Sequence, residues 1–176
     1  MKIILISGKA RSGKDTSAEM FKKILSENGN RVLITHYADL LKYICKTFFS
    51  WDGVKDVKGR RLLQHVGTDV IRRDNPDLWV NFVLKMLRYS KDLWDYVIIP
   101  DCRFPNEISV MIDSEFDVVT VRVSRDEREK TLTNEQQSHP SETALDKYDF
   151  DVKIYNDGTL DELKYTIDCI IKENYI

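Results

Sequence analysis

Glycine and proline are scarce in this chain, 7 and 4 residues of 176. That scarcity excludes a collagen-like or low-complexity protein. Cysteine is rarer still: Cys45, Cys102 and Cys169 lie far apart, with no CxxC or His-paired spacing. No metal site is read from them, and three reduced, mostly buried thiols are expected. Long apolar runs are missing too. The run before Ser7-Gly8 is about five residues, too short for a signal-peptide core, and nothing approaches the ~18 apolar residues of a membrane span. A cytoplasmic protein without a membrane partner is expected. There is no excess of either charge, since 27 Lys+Arg meet 29 Asp+Glu for a net of -2. A strongly basic DNA-coating protein and an acidic solvating tail are both excluded. A local anion site is not, because net charge averages over the chain. What is present is 42% hydrophobic and 32% charged residues in 20.6 kDa, enough for one domain with a sizeable core.

Lys2-Ile-Ile-Leu-Ile-Ser7 is a short apolar run rich in β-branched residues and reads as a strand. Gly8 to Gly13 follows. A helix-length stretch then runs to about Asn28, with Ala18, Phe21, Ile24 and Leu25 at helical spacing, and Arg31–Thr35 reads as a second strand. Strand, helix, strand in so few residues is a βαβ unit, which implies a parallel sheet with right-handed crossovers. Residues 38–92 read as helical in pieces, the second from about Lys58 to Arg73 and the third after Asp74-Asn75-Pro76-Asp77. Tyr96–Pro100, Val118–Val123 and Val152–Tyr155 are further strands, and residues 160–171 a closing helix. Residues 124–148 are polar with little apolar periodicity and read as a mobile flap. The whole is one α/β domain of three layers, with about five parallel strands, a helical insertion and a lid.

Gly8-Lys9-Ala10-Arg11-Ser12-Gly13-Lys14-Asp15-Thr16 carries the most chemistry. The pattern GxxxxGK between a strand and a helix lets backbone N–H groups of the loop, and the positive end of the helix, meet phosphate oxygens. Lys14 then bridges the outer phosphates of a nucleoside triphosphate. Asp15 stands where Ser or Thr normally meets Mg²⁺, so either its carboxylate holds a hydrated Mg²⁺ or Thr16 supplies the hydroxyl. Arg11 adds a cation able to stabilise a phosphoryl group in flight. Asp101 ends an apolar strand, the place of a Mg²⁺ carboxylate in this architecture or of a cap for the next helix, and Arg103 would point into the same crevice. Gln64, Thr68 and Arg72 are spaced by four and share a helix face that offers an amide, a hydroxyl and a guanidinium. That face serves equally as a base reader with a phosphate clamp or as a solvated face. Tyr37 and Trp79 are candidate stacking surfaces or core aromatics. His36 and His65 pair with nothing as ligands.

Taken in order, the loop with Gly13-Lys14-Asp15-Thr16, then Gln64-His65-Val66-Gly67-Thr68-Asp69 with Arg72, Asp77-Leu78-Trp79, Asp101 to Glu107 and His139-Pro140-Ser141-Glu142 resemble the deoxynucleoside monophosphate kinases of bacteriophages. The resemblance spans nearly the whole chain. It implies an adenylate-kinase-like phosphate-loop fold, ATP with Mg²⁺, and γ-phosphoryl transfer to a deoxynucleoside 5′-monophosphate in a cytoplasm, the host's if the chain is viral. It would place Gly8, Arg11, Ser12, Gly13, Lys14, Asp15 and Thr16 on ATP, with Arg125 and Arg128 as lid arginines. Lys9, Ala10, Tyr37, Asp39, Lys42, Gln64, Thr68, Asp69, Arg72, Trp79, Arg103 and Glu142 would lie around the acceptor. Arg11, Lys14 and Arg128 would act in catalysis, and Asp15, Thr16 and Asp101 toward the metal. Some phage relatives carry a lysine where this chain has Ala10, which leaves open which cation meets the acceptor phosphate. The partners implied are small nucleotides rather than a nucleic-acid polymer, and apolar helix faces in the insertion could pair two subunits. Two other readings fit the loop: a kinase of another small acceptor, such as dephospho-coenzyme A, and an ATP-binding module without turnover.

Overall fold

The computed structural model describes residues 1–125, 137–173 and 176. Five strands, β1 (Lys2–Ser7), β2 (Val32–Ile34), β3 (Tyr96–Cys102), β4 (Asp117–Ser124) and β5 (Val152–Tyr155), form one parallel sheet in the order β2-β3-β1-β4-β5. β1 is central, hydrogen-bonded to β3 on one side and β4 on the other. Its apolar run is unbroken because helices cover both faces. Ile3 and Leu5 enter one core with Trp79, Val83, Leu87 and Ile108. Ile4 and Ile6, pointing the other way, enter a second core with Phe21, Leu25, Leu163 and Ile167. All four β1 residues are completely buried. Each such aliphatic side chain contributes about 1.5–3 kcal/mol by leaving water, so the central strand is the most firmly held element.

The second core is closed by α1 (Lys14–Glu27) and the last helix, α7 (Leu160–Lys172). Helix α7 starts at Thr159, whose hydroxyl accepts from the Glu162 N–H while the Glu162 carboxylate takes the Thr159 N–H, a reciprocal N-terminal lock. The first core is closed by α2 (Ala38–Phe48), α4 (Leu78–Ser90) and α5 (Pro105–Ile112). Between α2 and α4 lies α3 (Val57–Gln64), whose start is capped by the Asp56 side chain on the Gly59 N–H at 2.7 Å. The helix expected from about Lys58 to Arg73 has its boundaries nearly as expected but changes character. Residues His65–Arg72 are π-helical, and inside that stretch the Gly67 carbonyl accepts from Trp79 Nε1 at 3.2 Å. π turns widen the helix and often mark functional sites.

The segment expected to be a mobile flap divides. Residues 126–136 lie outside the described residues. Beyond them the chain forms a short helix, α6 (Pro140–Thr143), and then packs down: Leu145 and Phe150 are buried in the first core with Tyr148 against them. The flap's C-terminal part is therefore anchored by apolar residues whose spacing has no regular period. No helix among the described residues is long and apolar enough to cross a membrane.

Candidate functional site

A parallel sheet presents its ligand crevice at the C-terminal strand ends, where neighbouring connections leave in opposite directions. Here that point is the end of β1, between β3 and β4. The loop from Gly8 to Gly13 emerges there and turns into α1. Its backbone takes left-handed conformations at Arg11 (φ 62°) and Gly13 (φ 94°). For arginine that is a strained choice, of the kind found where a loop is shaped for a ligand. A methyl group at Gly13 would lie 2.1 Å from Asn156 Nδ2. Asn156 is itself buried at the end of β5, and its Nδ2 donates to the Ser12 carbonyl at 2.9 Å. This residue, 144 positions from its partner, holds the loop's shape. The Ser12 hydroxyl is buried without a hydrogen-bond partner.

Lys14, the first residue of α1, is buried. Burial lowers its pKa first, and the neighbouring Arg103 adds to that, while Asp15, Glu142 and Asp101 oppose. A desolvated ammonium among convergent charges is what an anionic ligand completes. The opposite wall comes from the end of β3. Asp101 accepts from the Tyr37 and Ala38 N–H groups at 2.9 and 3.0 Å, so it caps α2 rather than the next helix. Glu107, deep in α5, fixes the turn after β3 by accepting from the backbone N–H of Arg103 (2.7 Å) and of Phe104 (3.1 Å). Arg103 Nη1 donates to the Ser141 carbonyl at 2.9 Å and to the Glu142 carboxylate. The other Glu142 oxygen accepts from Ala10 N in the phosphate loop at 3.1 Å.

These walls enclose a cavity of about 490 Å³, of a size that suits small molecules. Of the sequence-derived residues, Ala10, Arg11, Lys14, Asp15 and Asp101 line it on the phosphate side. Arg103 and Glu142 line its middle, and Tyr37, Lys42, Gln64, Thr68, Arg72 and Trp79 the helical side. The rest do not line it. Lys9 is exposed and pairs with Asp146 at 3.2 Å; Asp39 holds Lys42 at 2.8 Å; Asp69 faces His65 and His139. Thr16 and Arg125 are exposed, while Gly8, Ser12 and Gly13 shape the loop behind its lining. Arg128 lies outside the described residues.

The Gln64, Thr68 and Arg72 face survives the π-helical stretch, because all three reach the same cavity. Arg72, however, is already engaged. Its Nη1 donates to the Pro76 carbonyl (3.0 Å) and Asn106 Oδ1 (3.1 Å), its Nη2 to Glu107 Oε1 (2.5 Å), and its guanidinium lies 3.9 Å from the Phe104 ring centre. Its buried Nε has no partner. Three of its five N–H groups are thus spent within the fold, which leaves less than a free bidentate fork for a ligand. Tyr37 and Trp79 are buried, with Tyr37 donating to the Glu107 carbonyl at 3.2 Å; each presents an edge to the cavity.

Three acidic or basic residues beyond those candidates, Lys55, Arg60 and Glu107, also line the cavity. Lys55, in the connection from α2 to α3, keeps an exposed stem. Partial burial of its ammonium, then Lys42, lower its pKa against Asp15 and Asp101. Its signal in the sequence was only a lysine in a polar loop. Burial raises the Glu107 carboxyl from 4.5 to about 7, against the lowering effect of Arg72. Among the described residues no cluster of three His, Cys, Asp or Glu could hold a metal. Cys45 and Cys102 are free and buried, and Cys169 is free and partly exposed.

The sheet order, the loop at its switch point and the helical cover above it define a phosphate-loop α/β protein. Residues 24–167 match the family model for deoxynucleotide monophosphate kinase, and the chain belongs to that family. The phosphate loop precedes the matched stretch, so its assignment stands on the geometry above. The chain is 28% identical over 161 residues to an uncharacterized protein, ORF77, of Ictalurid herpesvirus 1 (strain Auburn), covering 89% of this chain and 64% of that protein's length. The chain thus spans somewhat less than two thirds of that relative. Among solved structures, thymidylate kinase from Ehrlichia chaffeensis superposes with a TM-score of 0.54 at 13% identity, covering 97% of this chain and 98% of that one, a likeness of fold. Mycobacterium tuberculosis APS kinase CysC aligns over 97% of this chain and 96% of its own at 14% identity, with a TM-score of 0.48.

Proposed function

We propose that this chain transfers the γ-phosphoryl group of ATP to a deoxynucleoside 5′-monophosphate such as dGMP or dTMP, giving the deoxynucleoside diphosphate and ADP. The carrying observation is one cavity with a phosphate loop at one end, an amide, hydroxyl and aromatic wall at the other, and Lys14 and Arg103 between them. An acceptor phosphate oxygen attacks the γ-phosphorus in line. A P–O bond forms to it as the bond to the β-bridging oxygen breaks, and that oxygen leaves on ADP. Such transfer needs positioning and charge neutralisation rather than a strong base. Loop N–H groups after Ala10, with Lys14, hold the donor phosphates, Arg11 and Arg103 meet the charge of the moving group, and Gln64, Thr68, Tyr37 and Trp79 frame the acceptor base.

Magnesium, which usually takes one or two carboxylates and completes its shell with phosphate oxygens and water, suits the pair Asp15 and Asp101 lining the phosphate side. When bound it would supply neutralisation of the phosphate charge. Thr16, exposed and outside the cavity lining, is the weaker candidate. The test is an ADP-release assay over a panel of deoxynucleoside monophosphates, with Lys14→Ala as control. Turnover of at least one, lost in a Lys14→Ala protein that remains folded, supports the reading. Silence across the panel, or substantial activity in Lys14→Ala, sinks it.

A further inference from the structure

Glu142 stands out as a carboxylate placed where a phosphate belongs. Its side chain is only 8% exposed. One oxygen accepts from the Ala10 N–H and the other from the Arg103 guanidinium, and the negative charge also acts on Lys14. A backbone N–H of a phosphate loop, a guanidinium and a buried ammonium are the donors that bind phosphoryl oxygens. Here they converge on an anion the protein supplies itself. The arm that carries Glu142 is pinned on both sides. His139 Nδ1 accepts from the Ser141 N–H at 3.2 Å, His139 Nε2 lies 3.4 Å from Asp69 Oδ1 in the π-helical stretch, and Leu145 is buried in the core.

We propose that Glu142 is a specificity-determining residue whose carboxylate occupies the acceptor-phosphate subsite, so that only an acceptor bearing its own phosphate displaces it. This rests on the kinase reading of the cavity. An incoming phosphate replaces the lost charge and restores hydrogen bonds to Ala10 N and Arg103. A bare hydroxyl does not. If it pushed the carboxylate aside, it would leave a half-buried guanidinium and a loop N–H without an anion, and that arrangement is costly. With Glu142 in place, its carboxylate stands between an unphosphorylated nucleoside, or water, and the donor phosphates. The same residue therefore favours monophosphate acceptors and limits wasteful hydrolysis.

Glu142→Gln keeps the length and volume of the side chain and removes its charge. Titration calorimetry of the full chain with inorganic phosphate should show at least tenfold tighter binding in Glu142→Gln than in the parent. The KM for dTMP should fall, and acceptor-free ADP release from ATP should rise. Phosphate affinity that is unchanged or weaker overturns the proposal. So does a raised KM for dTMP with unchanged acceptor-free hydrolysis, because Glu142 would then serve only to aim Arg103. Should Glu142→Gln lose its melting transition, Glu142→Asp carries the same test. One methylene shorter, it cannot span Ala10 N and Arg103, and phosphate should bind about threefold tighter. If no monophosphate in the panel turns over yet phosphate still binds tighter in Glu142→Gln, the anion subsite stands and the kinase reading falls.

Discussion

The buried contact between Asn156 and the phosphate loop gives the sharpest test of how this fold builds its site. Asn156 Nδ2 donates to the Ser12 carbonyl at 2.9 Å and would lie 2.1 Å from a methyl group at Gly13. Asn156→Ala strands a buried carbonyl, which costs about 1–3 kcal/mol. For a chain of this size each kcal/mol moves Tm by roughly 2–4 °C. Gly13→Ala meets two separate penalties: a left-handed backbone at φ 94°, about 1–2 kcal/mol for an L-residue, and the clash with Asn156. In the Asn156→Ala background the second penalty is gone. Stabilities from urea unfolding of the parent, both single variants and the double variant should therefore not add. Gly13→Ala should cost at least about 1 kcal/mol less when Asn156 is already alanine, a coupling in the range of contacting residues. Pyrophosphate affinity measured on the same proteins should fall in both single variants, because the loop loses its shape. Additivity within about 0.5 kcal/mol, or an Asn156→Ala protein with unchanged stability and pyrophosphate affinity, would refute the idea that β5 fixes the loop.

The other predictions concern charge. Between pH 4.5 and about 7 folded Glu107 keeps a proton that the unfolded chain has shed, so its contribution to stability falls as pH rises through that window. Urea midpoints of the parent minus those of Glu107→Gln should accordingly decline from pH 5 to pH 8, and a flat difference would contradict the raised carboxyl. Arg72→Ala leaves Glu107 buried without its cation, a loss of about 3–5 kcal/mol for a broken buried pair. The loss should be smaller at pH 6 than at pH 8, since Glu107 can take up a proton. The acceptor KM should rise more than the ATP KM, and equal rises would argue against a role at the acceptor end. Lys55→Ala should raise the acceptor KM roughly tenfold, as expected for one charge-assisted contact, with Tm unchanged; an unaltered KM would place Lys55 outside the binding path.

How much of this was legible in the sequence depended on whether the signal was local. β1 was readable because a parallel strand covered on both faces is apolar throughout, and the loop because its glycines and Lys14 fall within a few residues. Gln64, Thr68 and Arg72 were readable as a face because any helix, α or π, keeps residues four apart on one side. What the sequence could not convey was partnership across the fold. Asn156 falls between the last strand and the closing helix, and only its approach to Ser12 makes it part of the site. Arg72 looked like a free clamp, and only Glu107, Asn106 and Phe104 show that most of its donors are spent. The described end of the 124–148 segment lacked apolar periodicity because Leu145 and, just past it, Phe150 anchor an irregular arm rather than a helix face.

Glu107 shows why such residues decide the site. It is a carboxylate in α5 that never touches the phosphate loop, yet its oxygens hold the Arg103 and Phe104 N–H groups and Arg72, while its carbonyl takes the Tyr37 hydroxyl. The turn after β3, the π-helical stretch and the start of α2 are thus fixed through a single buried residue. Arg103 and Arg72 reach the cavity from different elements, and each is placed by the same carboxylate. A chain with net charge -2 can concentrate cations around one cavity in this way. The anions that balance them, Glu107 and Glu142, are built into the cavity lining rather than left to solvent. Of these two, Glu107 is locked in place by its contacts on several elements, whereas Glu142 sits on an arm of the subsite itself. Under the proposal above, Glu107 is the fixed support and Glu142 the group that a substrate phosphate replaces.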